Sequence, residues 1–527
     1  MKKTWSSLFI LTLVLALLAG CSGGGGTTSG SDSGGRTGPS GQSGPSGSPT
    51  GDSGNQDEIV ELSLFINHSW YPVRSWSGTI AEEITKRTGV KLDVTVAADS
   101  EQLPLMIASG DLPDLIFTVR EPRLENPDMS HPWNELIEKY APNFQIDPNR
   151  LAVNTAQDGN VYTVLNAYAT PEEWESNPYA LGNDGNPGIA VRQDILDELG
   201  AKIETLDDFL SVLEQVKQKY PDMVPMTMDI EWIPQYFKMQ FGVPPHSSWH
   251  DQDGQLKHVI SHPNSLQFYK FMNSLYRNGY ILAENFTYSN DQIDDEYAVT
   301  GRAFAHSHTV SIAEADNAKA KNQGNNYQFT MIPSALTDEA YNLSTGTGFS
   351  GVYITKNNKN PQKSIELIEF LASKEGLELV MFGIEGQHWE WHPDGYPVFH
   401  YDVNDAEYVN SEGLKWWYLY SDAIVEGLRG YVPGTQTTKA LQEIKAITEH
   451  KPEIGMVKLQ DGTDEKVIFE KIREMVKTEE IRIYLAESEE AAEQAYQRML
   501  QLAEDIGLSR LESWATAEYQ KMKAMFE

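Results

Sequence analysis

Along most of the chain, hydrophobic residues recur with one of two periods. Residues 59–66 alternate between apolar and polar positions, which predicts a β-strand. Residues 79–88 place Ile80 and Ile84 one helical turn apart and end at Gly89, which predicts a helix. Strands and helices continue to alternate, with a predicted strand at 90–96, a helix at 102–109 and a strand at 115–117. Because strands joined by helices pair in parallel, this order predicts an open α/β sheet covered by helices.

A second region repeats the alternation of strands and helices. It begins with a predicted strand at 188–191 and a helix at 193–199. Thr205 and Asp208 have the spacing of a capping box, which marks the start of another helix. Further strands are predicted at 224–228 and 302–305, a helix at 362–371, and long helices between 464 and 527. The chain therefore has the pattern of two α/β units.

Side chains that follow predicted strands are candidate ligand contacts, because ligands of open α/β sheets bind beyond the carboxyl ends of the strands. In the first unit these residues are Asn67, His68, Trp70, Thr118 and Arg120. In the second unit they are Asp229, Glu231, Trp232 and Tyr236.

The N-terminus has the pattern of a secretory signal peptide over residues 1–20. Two lysines precede an apolar run at 8–18 that is too short to span a bilayer. The run ends at Leu18-Ala19-Gly20, and the one cysteine of the chain, Cys21, follows directly. This is similar to the lipobox of bacterial lipoproteins, which implies that Cys21 is diacylated and anchors the chain to the cell membrane. An ordinary signal peptide with a chance cysteine is the alternative.

Residues 21–56 predict a flexible tether after this cysteine. Residues 22–56 contain 13 Gly and 9 Ser among 35 positions, so little apolar surface is present to offset the backbone entropy of folding. The folded body is predicted to occupy residues 57–527.

Composition excludes several classes of protein. Acids outnumber bases by 76 to 41, a net charge of −35, which argues against a nucleic-acid-binding surface. A single cysteine rules out an internal disulfide framework and a thiolate-rich zinc site. With 40% apolar residues, the chain can build a large core.

Two motifs have alternative interpretations. Gly346, Gly348 and Gly351 match G-x-G-x-x-G, but a predicted strand follows instead of a helix, so a crossing between lobes is favoured over a dinucleotide loop. The histidines at 246, 250, 258 and 262 have metal-like spacing, but the turn at 251–254 indicates an exposed hairpin. The sequence therefore predicts no bound metal and no cofactor.

Tryptophans in polar surroundings indicate a carbohydrate ligand. A sugar ring has an apolar C–H face that lies on an aromatic ring, while its hydroxyls need polar partners at the edge. Trp70, Trp232, Trp389 and Trp416 have acidic, amide or histidine side chains nearby. A core position is the alternative for any one of them.

Several phrases resemble the bacterial extracellular solute-binding lipoproteins of ABC importers (family 1), in their oligosaccharide-binding branch. These phrases lie at 105–114, 195–200, 354–365, 383–389 and 394–397. The resemblance implies an α/β fold of the two-lobed, periplasmic-binding-protein-like type II, with a hinge, an interlobe cleft and no catalysis. It adds Glu385, His388 and Trp389 as candidate contacts. Residues 218–223 lack the oxygen ligands of the calcium loop that some relatives carry.

The sequence thus predicts an extracytoplasmic, lipid-anchored monomer from a bacterium of the Gram-positive type. It captures a carbohydrate by lobe closure and delivers it to an ABC permease. The first lobe is expected at 57–180 plus 350–400, and the second at 185–345 plus much of 400–527. A glycan-degrading surface lipoprotein and a ligand-binding co-sensor remain the alternatives, and a pair such as Glu385 and Glu390 would be the acids of the former.

Overall fold

The computed structural model describes residues 59–182, 185–229, 233–287, 292–460 and 462–526. The predicted signal peptide, Cys21 and the tether lie outside these residues, as do Glu231 and Trp232. Across the described ranges, no helix is both long enough and apolar enough to span a membrane.

The strands in these ranges are short and belong to two larger sheets and three strand pairs. In chain order they are β1 (Val60–Ile66), β2 (Val90–Val96), β3 (Leu115–Val119), β4 (Pro187–Arg192), β5 (Val224–Met228), β6 (Trp249–Gln252), β7 (Gln255–His258), β8 (Ala303–Thr309), β9 (Phe329–Met331), β10 (Asn342–Ser344), β11 (Ser350–Ile354), β12 (Trp389–Trp391), β13 (Pro397–Phe399) and β14 (Thr448–His450).

The helices cover both sheets and form most of the C-terminal part. They are α1 (Thr79–Thr88), α2 (Gln102–Ser109), α3 (Trp133–Tyr140), α4 (Pro148–Asn154), α5 (Pro171–Ser176), α6 (Gln193–Leu199), α7 (Leu206–Lys219), α8 (Ile233–Gln240), α9 (Ser265–Arg277), α10 (Gln292–Val299), α11 (Ile312–Asn322), α12 (Pro361–Ala372), α13 (Lys374–Phe382), α14 (Ala406–Glu412), α15 (Ala423–Arg429), α16 (Gln436–Ala446), α17 (Pro452–Gly455), α18 (Asp464–Tyr484), α19 (Glu489–Ile506) and α20 (Leu508–Phe526).

The first sheet has the strand order β11-β3-β1-β2. β1 pairs in parallel with β2 and β3, as the alternation of strands and helices predicts. β11 enters from far along the chain and runs antiparallel to β3, with Ser350 opposite Val119. The carboxyl ends of β1, β2 and β3 and the start of β11 therefore lie at one edge of this sheet.

The second sheet has the order β5-β8-β4-β9. β5 and β8 are parallel, whereas β4 is antiparallel to β8 and places Pro187 opposite Thr309. The carboxyl ends of β5 and β8 and the start of β4 therefore share one edge.

Several predicted elements are confirmed at their ends because the stop and start signals are local. α1 and α2 end at Gly89 and Gly110, which adopt left-handed φ values of 69° and 72° that glycine accepts without strain. The Thr205 hydroxyl accepts from the Asp208 N–H, and the Asp208 carboxylate accepts from the Thr205 N–H, which completes the predicted capping box.

Segments from the C-terminal part of the chain pack into the hydrophobic cores of both sheets. Leu414, Trp417 and Leu419 are buried in the core of the first sheet. Helices α18, α19 and α20 pack with α9 and β7 on the core of the second sheet. The chain therefore passes between the two sheets more than once.

The hairpin of β6 and β7 is correctly predicted as a hairpin, but the expectation that it is exposed is wrong. His250 and His258 are buried, because α20 packs across the hairpin. The His258 N–H donates to Glu512 Oε1 at 3.0 Å, and the Leu256 N–H donates to the Thr516 hydroxyl. His250 and His258 of the metal-like pattern are therefore part of the packed interface between the hairpin and α20.

Candidate functional site

Two adjoining cavities lie where the edges of the two sheets face each other. The larger, of about 860 Å³, is lined by Trp70, which follows β1, and by His308 and Thr309 at the end of β8. The smaller, of about 260 Å³, is lined by β10 and its connection to β11, residues 342–349, and by residues of α16 and β14. The cavities share four residues and are called the cleft below: Ala167, His246, Phe349 and Glu426.

One side of the larger cavity is an aromatic wall, formed by His68, Trp70, Phe349, Trp416 and Tyr418. Trp70 is 54% exposed, although it is a large apolar side chain. The His68 ring stacks on Phe349 at 5.3 Å and lies 5.2 Å from Trp70. Burial lowers the pKa of His68 to about 4, so the wall is uncharged at neutral pH. Such a surface can accept the apolar face of a ring.

The polar floor of the cleft is the carboxyl group of Glu426. The Ser421 hydroxyl donates to Glu426 Oε1 and accepts from the Ala167 N–H at 3.2 Å. Burial raises the pKa of Glu426 to about 7, despite the opposing effect of the Ser421 hydrogen bond. A carboxyl group in this state can both accept and donate hydrogen bonds near neutral pH.

Backbone strain is concentrated at the cleft. Among the described non-glycine residues, four have left-handed φ values: Ala167 (56°), His246 (53°), Lys415 (61°) and Asp253 (53°). Asp253 lies in the turn of the β6–β7 hairpin, but the other three line the larger cavity. Residues in this conformation cost free energy and cluster at functional sites, so the strain supports this cleft as the site.

The crossing that leads into β11 depends on Gly348. Its φ is 89°, and a Cβ there would lie 2.6 Å from Leu165 Cβ and 2.7 Å from the Asn166 oxygen. The G-x-G-x-x-G stretch is thus a closely packed connection between the two sheets, and a strand follows it, as expected from the sequence.

The smaller cavity has a second aromatic pair. The Trp174 and His450 rings stack at 5.5 Å with an interplanar angle of 15°. Beside them, the Lys445 ammonium donates to three carbonyl oxygens, those of Trp174, Asn177 and Ala180. This network orders the residues that enclose the cavity.

Among the residues that the structure describes, two groups of carboxylates and histidines near the second sheet have ligand atoms close enough to consider a metal. In the first, Asp229, Asp294 and His308 have ligand atoms within 4.8 Å of one another. In the second, which includes Asp316, both ring nitrogens of His306 are already hydrogen-bonded to carboxylates. Asp294 of the first group also bonds to His306 Nε2, so the two groups are joined in one ion-pair network. That the protein binds no metal remains a prediction.

The structure places Trp70 and Trp416 of the predicted contacts in the lining of the larger cavity, with His68 beside them. Asn67 lies at the same sheet edge, where its amide donates to the Thr118 hydroxyl at 3.1 Å. Thr118 is buried by that contact and by β11.

Three predicted contacts are corrected, because their side chains are buried and bonded within the protein. The Tyr236 hydroxyl donates to the Pro333 oxygen in the core of the second sheet. The Trp389 indole donates to the Gly383 oxygen, and the His388 Nδ1 accepts from the Ile384 N–H. In this structure these rings support a core and do not face the cleft.

Three further predicted contacts, Arg120, Asp229 and Glu385, do not line either cavity, and Glu231 and Trp232 lie outside the described residues. Arg120 forms an ion pair with Glu125 at 2.7 Å and donates to the Val153 oxygen, so it has a structural role. Glu385 is exposed in the loop after α13, and Asp229 is buried after β5. Sequence reasoning missed Phe349, which precedes β11, and Glu426 and Arg429, which lie on α15, because neither segment gave a ligand signal.

Comparisons with known proteins agree with this architecture. Residues 79–382 match the family model described as "Bacterial extracellular solute-binding protein". A Streptococcus pneumoniae protein named carbohydrate ABC transporter substrate-binding protein is 23% identical over 327 residues, which covers 58% of this chain. The match spans 60% of that relative's length.

Solved structures of low sequence identity share the fold. The alginate-binding protein AlgQ2 without calcium ion has a TM-score of 0.64 at 20% identity, covering 88% of this chain and 99% of its own. FusA of S. pneumoniae in complex with kestose also has a TM-score of 0.64, at 17% identity, covering 88% of this chain and 100% of its own. The predicted α/β, periplasmic-binding-protein-like fold is therefore confirmed.

Proposed function

Because the chain belongs to the bacterial extracellular solute-binding protein family, we propose that it captures a carbohydrate in the cleft and delivers it to the permease of an ABC importer. The half-exposed aromatic wall beside a carboxyl floor is the observation that carries this proposal, since sugars need an apolar platform and polar partners together. The name of the S. pneumoniae relative and the kestose bound to FusA support a carbohydrate, in particular an oligosaccharide.

Capture follows from the position of the cleft between the two sheets, which we assign to two lobes. A ligand that touches Trp70 on one side and Thr309 on the other has contacts with both lobes only when they are close together. Its binding therefore favours the closed arrangement by the difference in affinity between the two states. The permease would then recognise the closed surface. In this proposal the protein releases its ligand unchanged and acts as a binding protein, not as an enzyme.

Trp70→Ala is expected to weaken binding of the cognate oligosaccharide at least tenfold, which is about 1.4 kcal/mol. Trp70 is 54% exposed and lines the larger cavity, so its removal takes away a stacking platform. Stability should change by only about 0.5 kcal/mol, as for other exposed positions. Calorimetry with a panel that includes kestose, cellotriose, xylotriose, mannotriose and trigalacturonate measures the affinity.

Leu105→Ala is the matched control, because it removes an exposed apolar side chain from α2 outside the cleft. Its affinity should equal that of the wild type. A Trp70→Ala variant that binds the same sugar equally well would remove the aromatic wall from the proposed site.

Cys21→Ser is expected to leave the protein unprocessed or released instead of held at the membrane by lipid, because the serine hydroxyl cannot form the thioether to which the lipid is attached. This expectation rests on the lipobox-like residues 18–21 and on the Gly/Ser-rich tether that follows. Labelling with a radioactive fatty acid and fractionation of the cells measure the anchoring. Ser22→Ala should remain labelled and membrane-bound, and an unlabelled wild-type protein would contradict the proposed anchor.

A further inference from the structure

We propose that Glu426 determines which sugar binds, by accepting hydrogen bonds from the hydroxyl groups of the ring that lies where the two cavities meet. This inference rests on the proposed function and extends it. Of the four residues that line both cavities, Glu426 is the one that carries a carboxyl group. A ligand that extends from one cavity into the other must therefore pass its carboxyl group.

The helix cap of α15 and a side-chain hydrogen bond hold Glu426 in position. Asp422 caps α15 by accepting from the N–H groups of Ile424 and Val425 at 2.8 and 3.2 Å. Glu426 follows one helical turn later, and the Ser421 hydroxyl holds its Oε1. No hydrogen bond from a described residue reaches its Oε2. The side chain is thus half satisfied and preorganised, with one oxygen left for a ligand in the cleft.

The surroundings of Glu426 hold the pKa of its carboxyl group at about 7, so its charge changes near neutral pH. After burial, the strongest effect on its pKa of about 7 is the lowering by the Ser421 hydrogen bond. The next effect in size is that of Asp422, which raises the pKa. Arg150 on α4 and Lys415, the residue before Trp416, lower it. The other titratable side chains lining the cleft are His246, His308, Arg429, Lys445 and His450. Burial lowers the pKa of each of these histidines, so they are neutral in the range where Glu426 ionises.

The geometry also defines the class of ligand. The larger cavity offers the aromatic wall, and the smaller offers Trp174 stacked with His450 and the polar stretch from Ser344 to Gly348. Each is suited to a sugar ring, and Glu426 lies between them. The ligand expected to contact all three is an oligosaccharide whose internal ring has free neighbouring hydroxyls. A single sugar or a chain substituted at those hydroxyls would lose one set of contacts.

Glu426→Gln tests this directly, because the amide keeps the shape and can still accept from Ser421, but cannot ionise. Calorimetry with the tightest-binding trisaccharide of the panel above, and with the corresponding monosaccharide, should be run at pH about 6 and pH about 8, on either side of the pKa of about 7. We expect the wild type to bind the trisaccharide up to about tenfold more tightly at the higher pH, because the ionised carboxylate accepts hydrogen bonds more strongly. The variant should bind at least tenfold more weakly at the higher pH and show no pH dependence.

Glu407→Gln, at an exposed position of α14, is the matched control and should retain both the affinity and the pH profile. Equal trisaccharide affinity for Glu426→Gln and wild type, or a flat wild-type pH profile, would overturn the role of Glu426 while leaving the carbohydrate function intact. A wild type that binds no member of the panel would instead contradict the proposed function and this inference with it. The wild-type pH profile decides the matter even if the variant does not fold.

Discussion

His306→Ala is expected to lower the free energy of unfolding by about 3–5 kcal/mol, because removing one member of a buried ion-pair network leaves its partners uncompensated. His306 is fully buried on β8, and its Nδ1 lies 2.8 Å from Asp316 Oδ2. Its Nε2 lies 2.9 Å from Asp294 Oδ2. The imidazole thus joins β8 to α10 and α11, where the variant would leave two buried carboxylates without this partner.

The same network predicts how stability depends on pH. Burial by itself would lower the pKa of His306, but the carboxylates of Asp316 and Asp294 outweigh it and raise the pKa to about 10. A raised pKa means that the folded state binds the proton more tightly than the unfolded state does. The stabilisation is therefore complete below a pH of about 6.5 and is lost as the pH rises towards about 10.

Denaturant titrations of wild type and His306→Ala from neutral to alkaline pH check both points. The difference between the two proteins should be largest at neutral pH and shrink towards the alkaline end. His400→Ala is the control, because this histidine is exposed after β13 and should have little effect. A constant difference across the pH range would show that packing alone accounts for the contribution of His306.

Trp389→Ala is expected to cost about 3–5 kcal/mol of stability and to leave ligand affinity unchanged. The ring is 1% exposed and packs on Phe382 at 4.9 Å and on Trp391 at 5.2 Å. Its indole N–H donates to the Gly383 oxygen at 2.8 Å, so the substitution removes a hydrogen bond as well as creating a cavity. This position therefore tests stability, whereas Trp70 tests binding.

Denaturant titration and calorimetry on the same preparation separate the two roles. Glu390→Ala, at the exposed neighbouring position on β12, should change neither quantity measurably. A Trp389→Ala protein of normal stability that binds its sugar tenfold more weakly would return this tryptophan to the ligand site.

Trp70 and Trp389 show why the site was harder to predict than the elements. Both occur among polar residues, and the sequence supports a stacking role for each. Their difference comes from distant segments. Ala180 and Leu428, from distant parts of the chain, pack in one cluster with Trp389, while Trp70 remains at the edge of the cavity that Phe349 also lines. Burial of a side chain depends on what packs over it, and its local sequence does not contain that information.

Glu426 shows even more clearly that the local sequence does not reveal which side chains form the site. Nothing in its helix distinguishes it from the many other acids of this chain. It becomes a candidate only because the fold places it in the lining of one cavity with Ala167 and Phe349, which lie far away in the sequence. The shift of its pKa arises from this enclosure, so it too is a property of the tertiary structure.

The sequence by itself determined what depends on neighbouring residues. The period of the apolar positions predicts α1 and β2, glycine marks where α1 and α2 end, and the capping box marks the start of α7. The α/β class follows from the order of these elements. Short segments of the sequence also indicate the family. Only the tertiary structure decided that β11 runs antiparallel beside β3, that α20 buries the histidine hairpin, and which aromatic and acidic side chains meet in the cleft. The physical reason is that these contacts join residues hundreds of positions apart, so they depend on packing and electrostatics that no local pattern records.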